Sequence, residues 1–202
     1  MIPERAPRPK AAAHAQSQRE RILDAAQRCF IDQGFHAGTM AHIAKTAGMS
    51  AGLIYRYFEN KDAVVLAIID RELQRRRGRI AKLHTSDNLA AGLIEAFQDL
   101  QSREPGMVNA ALFLEMTAEA TRVPRIAAAL EAADRLTRQD FQAWLARDRS
   151  QGGLGLSPDH AETSALLMQI VVEGLAVRSA REPGLDCARL RQALAPIVQR
   201  LE

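Results

Sequence analysis

Apolar residues recur three and four positions apart along nearly the whole chain, and no alternating run of β-branched residues is long enough for a strand. This spacing lines apolar side chains along one face of successive helices and predicts an all-α fold. The helix ends are legible. A first helix is expected over 17–33. Ser17 and Glu20 have capping-box spacing there, Ile22, Leu23, Ala26, Cys29 and Phe30 form the stripe, and Gly34 is the stop. Thr39, Ser50 and Asn60 each suit the N-cap of a following helix, giving a second to about Gly48, a third to about Phe58 and a fourth over 61–83. Further helices are expected over 88–101, 107–121, 124–149, 158–181 and from 186 to the end, with a glycine loop at 151–155. About nine helices result. Residues 1–16, with Pro3, Pro7 and Pro9, read as a disordered basic arm. Residues 17–61 read as a three-helix domain, and 62–202 as a larger helical one.

At 47% hydrophobic residues the chain is too apolar to be disordered, yet no run of about 18 apolar residues marks a membrane span, so no membrane partner is expected. Residues 1–10 carry charges and prolines rather than an apolar core, so an export signal is not expected and a cytoplasmic location is. Cys29 and Cys187 are too few for a thiolate zinc site and read as small packed hydrophobes. The net charge of +3 is uneven: residues 1–61 hold 9 Lys and Arg against 5 Asp and Glu, and the remainder 18 against 19. A polyanion partner for the first third, or an inert basic tail, would each account for this.

Enzyme signatures fail on context. Gly48-Met49-Ser50-Ala51-Gly52 matches G-x-S-x-G, but a nucleophile elbow needs a strand before the serine, and here a helix precedes it. The histidines at 14, 36, 42, 84 and 160 show no metal-binding spacing, and Gly153-Leu154-Gly155 lacks the strand and third glycine of a dinucleotide loop. No catalytic residue, metal or cofactor is expected.

The informative stretch is 39–58. Two short helices meet at Ala47-Gly48-Met49-Ser50, where Gly48 can take the left-handed conformation of a tight turn, and Ile43, Ile54 and Phe58, joined by Met40, supply a core. This is the pattern of a helix-turn-helix, whose second helix enters the major groove. Its outer side would carry Ala51, Gly52, Leu53, Tyr55 and Arg56. A plain three-helix subdomain has the same spacing. The residues Gly34-Phe35, Thr39-Met40, Ile43-Ala44, Ala47-Gly48-Met49-Ser50, Gly52, Tyr55, Tyr57-Phe58 and Lys61 together resemble the N-terminal domain of TetR-family transcriptional regulators over roughly 17–66. A stretch from Glu115 through Ala118-Glu119-Ala120 to Arg122 and Pro124 is similar to one in a large subset of that family. The resemblance implies a homodimeric repressor on a palindromic double-stranded operator, released by a small molecule. Tyr57 and Lys61 would grip the DNA backbone, and the hydroxyls of Thr39 and Ser50 suit phosphate. Arg56 is the one outer side chain suited to a bidentate guanine contact, or it meets phosphate; Ala51 and Leu53 can touch thymine methyls.

Two stripes in the last helices resemble the pair that forms the family's dimer bundle: Leu167, Ile170, Val171, Gly174 and Leu175, and Leu190, Leu194, Ile197 and Leu201. Burial within one chain would explain them equally. Effector walls are expected among Phe97, Met107, Phe113, Met116, Phe141, Trp144 and Met168, which plain core packing also accommodates. Glu115, Glu119 and Arg122 share a helix face, either as a solvated ion pair or as a carboxylate site for a cation. The competing reading from another class is a helical small-molecule-binding or dimerisation protein that does not bind DNA.

Overall fold

The computed structural model describes residues 9–83, 89–102 and 109–201. Among them are nine α-helices, one turn of 3-10 helix and no strand. The helices are α1 (Pro9–Ala37), α2 (Met40–Ala47), α3 (Ala51–Tyr55), α4 (Lys61–Leu83), α5 (Leu89–Gln101), α6 (Ala110–Ala120), α7 (Pro124–Ala146), α8 (Pro158–Arg181) and α9 (Cys187–Leu201). They form two compact units, Met1–Ile68 and Ile69–Glu202. Helix α4 has residues in both, and its first turns, with Val64, Val65 and Ile68 buried, belong to the first. The division therefore falls at 68/69 rather than at the 61/62 boundary expected from sequence.

Helix α1 starts at Pro9, well before the expected Ser17, so residues 9–16 are helix and not a disordered arm. Pro9 fits a first helical turn, and the following Ala11, Ala12, Ala13 and Ala15 are the strongest helix formers. Ser17 consequently sits inside the helix and caps nothing; Glu20 instead accepts a 2.7 Å hydrogen bond from Gln16. The remainder of the expected arm, 1–8, lies outside the described residues. Gly34 breaks α1 as expected, with φ 76° and ψ 167°.

Unit one has a core of Ile22, Leu23, Ala26, Phe30, Phe35, Ile43, Ala44, Ile54 and Phe58, all buried. The Phe30 and Phe35 rings stack tilted at 4.8 Å. Thr39 and Ser50 cap α2 and α3, accepting from the N–H groups of His42 at 3.2 Å and Leu53 at 3.3 Å. Helix α3 is shorter than expected. It ends at Tyr55, and Phe58 returns to the core through tight bonds from Tyr57 N–H and Phe58 N–H to the Ile54 carbonyl.

In unit two, α7 packs on α8, α5 on α8 and α9, and α6 on α7 and α8. Their shared core holds Leu93, Phe97, Trp144, Leu145, Ala161, Ala165 and Met168. Helix α6 is capped by the buried Asn109, which accepts from Leu112 N–H at 3.0 Å. Helix α7 stops at Ala146, and the glycine loop folds back on it: Trp144 donates to the Gly152 carbonyl at 3.0 Å, and Gly155 N–H to that of Arg147 at 2.8 Å. A Cβ on Gly153 would lie 2.1 Å from the Arg147 oxygen, so only glycine fits there. By length and composition α8 could cross a bilayer, although no 18-residue run in it is uninterrupted by polar residues. Its Ala161, Ala165 and Met168 lie in the unit-two core.

Candidate nucleic-acid interface and ligand cavity

The turn between α2 and α3 is built by Gly48 at φ 62° and ψ 39°, whose N–H bonds the Lys45 carbonyl at 3.1 Å. An L side chain is strained in that conformation, so the glycine fixes how α3 leaves α2. Arg21 of α1 reaches the Gly48 carbonyl at 3.4 Å, and Cys29 meets the Thr46 hydroxyl at 3.2 Å. Arg19 lies over the Phe58 ring at 4.4 Å. These contacts hold α2 and α3 on α1 and leave one surface bare.

That surface gathers most of the sequence-expected residues. Ala51, Gly52 and Arg56 are exposed, Tyr55 is 56% exposed, and Leu53 and Tyr57 are half-buried. Nothing lies within 4 Å of a Cβ placed on Gly52. Thr39 and Ser50 are exposed, and since each hydroxyl oxygen already accepts its cap bond, its proton is available to a phosphate. Arg56 follows the last residue of α3 rather than lying within it. Lys61 is placed otherwise than a free phosphate ligand would be. Its Nζ donates to the Phe35 carbonyl at 2.9 Å and sits 4.4 Å from the centre of that ring. An ammonium carries three donors, so a phosphate can share it.

Unit two contains a cavity of about 400 Å³. Phe113, Phe141 and Met168, expected from sequence, do line it. Phe97, Met116 and Trp144 do not; they are buried in packing around it. Met107 lies outside the described residues. Glu115, Glu119 and Arg122 are also absent from its wall, and Glu119 is buried with Arg122 3.6 Å away. Sequence reasoning followed apolar stripes and so missed the polar part of the wall: Glu72, Arg76 and Arg79 of α4, Asp99 of α5, Thr137 of α7 and Glu173 of α8. The dense Arg71–Arg79 run of α4 was the available signal.

The polar wall is a network. Arg79 bonds Asp99 at 2.7 Å and comes within 3.8 Å of Glu72, while Arg76 lies 3.5 Å from both Glu72 and Asp134. Arg138 donates to Gln169 at 3.0 Å. Burial pushes the Asp134 carboxyl above its ordinary range against the pull of Arg76, a Gln169 hydrogen bond and Arg138. Glu173 is raised too, first by burial and then by Asp134, against Arg76 and Arg138. Such a wall can fix the orientation of a molecule whose body fills the apolar interior.

The family of bacterial regulatory proteins, tetR family, matches residues 22–68, the helix-turn-helix unit, and the BetI-type transcriptional repressor C-terminal family matches 86–201. The transcriptional regulator UidR of Escherichia coli K12 is 34% identical over 168 residues, covering 80% of this chain and 82% of its own. The chain belongs to the TetR family. Two solved structures resemble it over most of the chain. Salmonella enterica GusR superposes with a TM-score of 0.71 at 26% identity, covering 91% of this chain and 96% of its own. SmeT in complex with triclosan superposes with a TM-score of 0.65 at 25% identity, covering 90% and 91%. This TetR-family protein is a DNA-binding transcriptional repressor. The reading as a helical protein without DNA binding gives way to it.

Proposed function

We propose that the protein binds a palindromic operator as a homodimer in the cytoplasm, without catalysis and without a membrane, and that a small molecule in the unit-two cavity releases it. One observation carries the reading: the cavity wall is built partly from α4, whose first turn follows directly on the helix-turn-helix. A ligand that favours one setting of Glu72, Arg76, Arg79 and Ile80 acts on a helix that begins at Lys61. Release needs only that the ligand binds the DNA-incompetent state better. SmeT, of the same fold, holds triclosan, which supports a small-molecule effector here.

The DNA contacts are assigned to Thr39, Ser50, Ala51, Gly52, Leu53, Tyr55, Arg56, Tyr57 and Lys61. Dimerisation is assigned to α8 with α9, and single-chain burial sorts the expected residues. Leu175, Leu190 and Leu194 are buried in unit two's own core, and Leu167, Val171 and Ile197 are half-buried. The side chain of Leu201 lies outside what is described. Ile170 is 55% exposed, Leu166 is 42% exposed, and Gly174 faces open space. The seam is therefore centred on Leu166, Ile170 and Gly174. Selection of operators from a random DNA library by the full-length protein tests the whole reading. The expected product is a two-fold symmetric sequence bound by two chains; an asymmetric site bound by one chain would refute it.

A further inference from the structure

We propose that the unit-two cavity selects an effector with a largely apolar body and one positively charged amine, held by the carboxylate of Glu72. The inference rests on the cavity being the effector site and adds the chemistry of what enters it. The apolar lining of Leu93, Phe113, Phe141, Met168 and Val172 suits an aliphatic or aromatic body. The charges on the wall decide what that body carries. Four carboxylates, Glu72, Glu95, Asp99 and Glu173, face two guanidinium groups, Arg76 and Arg79. Both guanidinium groups already face carboxylates of this chain, Arg76 with Glu72 and Asp134 and Arg79 with Asp99 and Glu72, so their positive charge is largely balanced before any ligand enters. Glu72 is more than nine-tenths buried and is only half satisfied. Its Oε1 faces Arg76 and Arg79, while its Oε2 is buried with no hydrogen-bond partner. A buried carboxylate oxygen without a donor is costly, and a ligand N–H removes that cost once the Glu72 side chain turns toward the cavity to meet it. The Glu173 carboxyl on the same wall is raised by burial and by Asp134, and a cation seated beside it would offset the repulsion from Asp134.

The test titrates full-length protein at neutral pH with three matched probes: 4-phenylbutylamine, 4-phenylbutan-1-ol and 4-phenylbutyrate. Calorimetry should find the amine at least about tenfold tighter than the alcohol, with the carboxylate weakest. Glu72→Gln should bring amine and alcohol to similar affinity while alcohol binding persists. Val172→Trp, and the milder Ala96→Leu, should weaken all probes that occupy the cavity. If probes bind and are lost on cavity filling, but the amine has no advantage, the charge inference falls and the cavity reading stands. A preference for the amine that persists in folded Glu72→Gln removes Glu72 as its holder. No binding of any probe at millimolar concentration, or binding that survives both filling substitutions, overturns the cavity reading and the inference with it. Should Glu72→Gln fail to fold, the order of the three probes on the unmodified protein still decides.

Discussion

Gly174→Glu separates folding of the chain from its assembly. In the single chain nothing lies within 4 Å of a Cβ at this position, so the added side chain meets no neighbour. Position 174 is inside α8, where replacing glycine by glutamate favours the helix by roughly 0.5–1 kcal/mol. The isolated chain should thus unfold no earlier than the parent. A dimer seam at Leu166, Ile170 and Gly174 reverses the sign. Overpacking a close helix contact costs about 1–3 kcal/mol, and two-fold symmetry repeats it, giving roughly 2–6 kcal/mol per dimer. Dissociation should strengthen about thirty-fold to twenty-thousand-fold, before the desolvation of the carboxylate is added. Sedimentation equilibrium at micromolar concentration reads this directly, with circular dichroism as the control for fold. Operator affinity should fall in parallel through lost bivalency, because residues 39–61 are untouched. A stable dimer of native helicity would refute the seam and move it to the exposed side of α9.

Three further outcomes follow from particular contacts. Arg56→Ala should cost about 1–3 kcal/mol on the operator and relax preference at one base pair per half-site, as measured by selection against a library; a loss equal on all sequences would make Arg56 a phosphate contact. Lys61→Ala should weaken all DNA sequences alike with a shallower salt slope, and should also lower thermal stability by at most about 3 kcal/mol, since the Nζ bond to Phe35 is lost. Lowered stability with unchanged DNA affinity would leave Lys61 a purely internal brace. Glu173→Gln should raise the melting temperature at neutral pH and give no gain below the ordinary carboxylate range. The folded-state carboxyl is raised, so the folded protein binds more protons there, and stability falls as pH rises through the interval between the two values. An equal effect at both pH values would contradict the sign.

Local chemistry explains why one half of the molecule was legible and the other was not. Thr39, Gly48, Ser50 and Asn60 are decided by hydrogen bonds within three residues of themselves, or by one backbone angle, and all four behave as the sequence predicts. Ser17 obeys the same local rule and fails, because the alanine-rich stretch before it already continues the helix. The cavity depends instead on which helix faces meet. Phe97 and Phe141 are both aromatic residues on apolar stripes, yet only Phe141 reaches the void. Helix α4 shows the same limit. Its apolar positions Val65, Ile69, Leu73 and Ile80 are buried as their spacing predicts, but that spacing says nothing of Glu72, Arg76 and Arg79, which line the cavity. Pairing between distant residues, such as Arg79 with Asp99 and Arg76 with Asp134, makes those charges tolerable there, and no sequence period reports it.

The same network sets how strongly an effector must act. Shifting a repressor from almost wholly competent to almost wholly released requires about 5.5 kcal/mol of differential binding. In the proposed dimer, with one cavity per chain, this is divided, so each ligand must prefer the released state by roughly 2.7 kcal/mol, about a hundredfold. One charge-assisted hydrogen bond contributes about 1.5–3 kcal/mol. A single bond to Glu72, made in one setting of α4 and broken in the other, therefore has the required size. An effector bonded mainly to α7 and α8 would fill the cavity equally well and shift nothing, because its contacts would not change with α4. Affinity and induction should consequently separate: substitutions at Phe141 or Met168 weaken binding but leave release intact once the cavity is saturated, whereas Glu72→Gln both weakens amine binding and abolishes release at saturating amine, as operator-binding titrations would read.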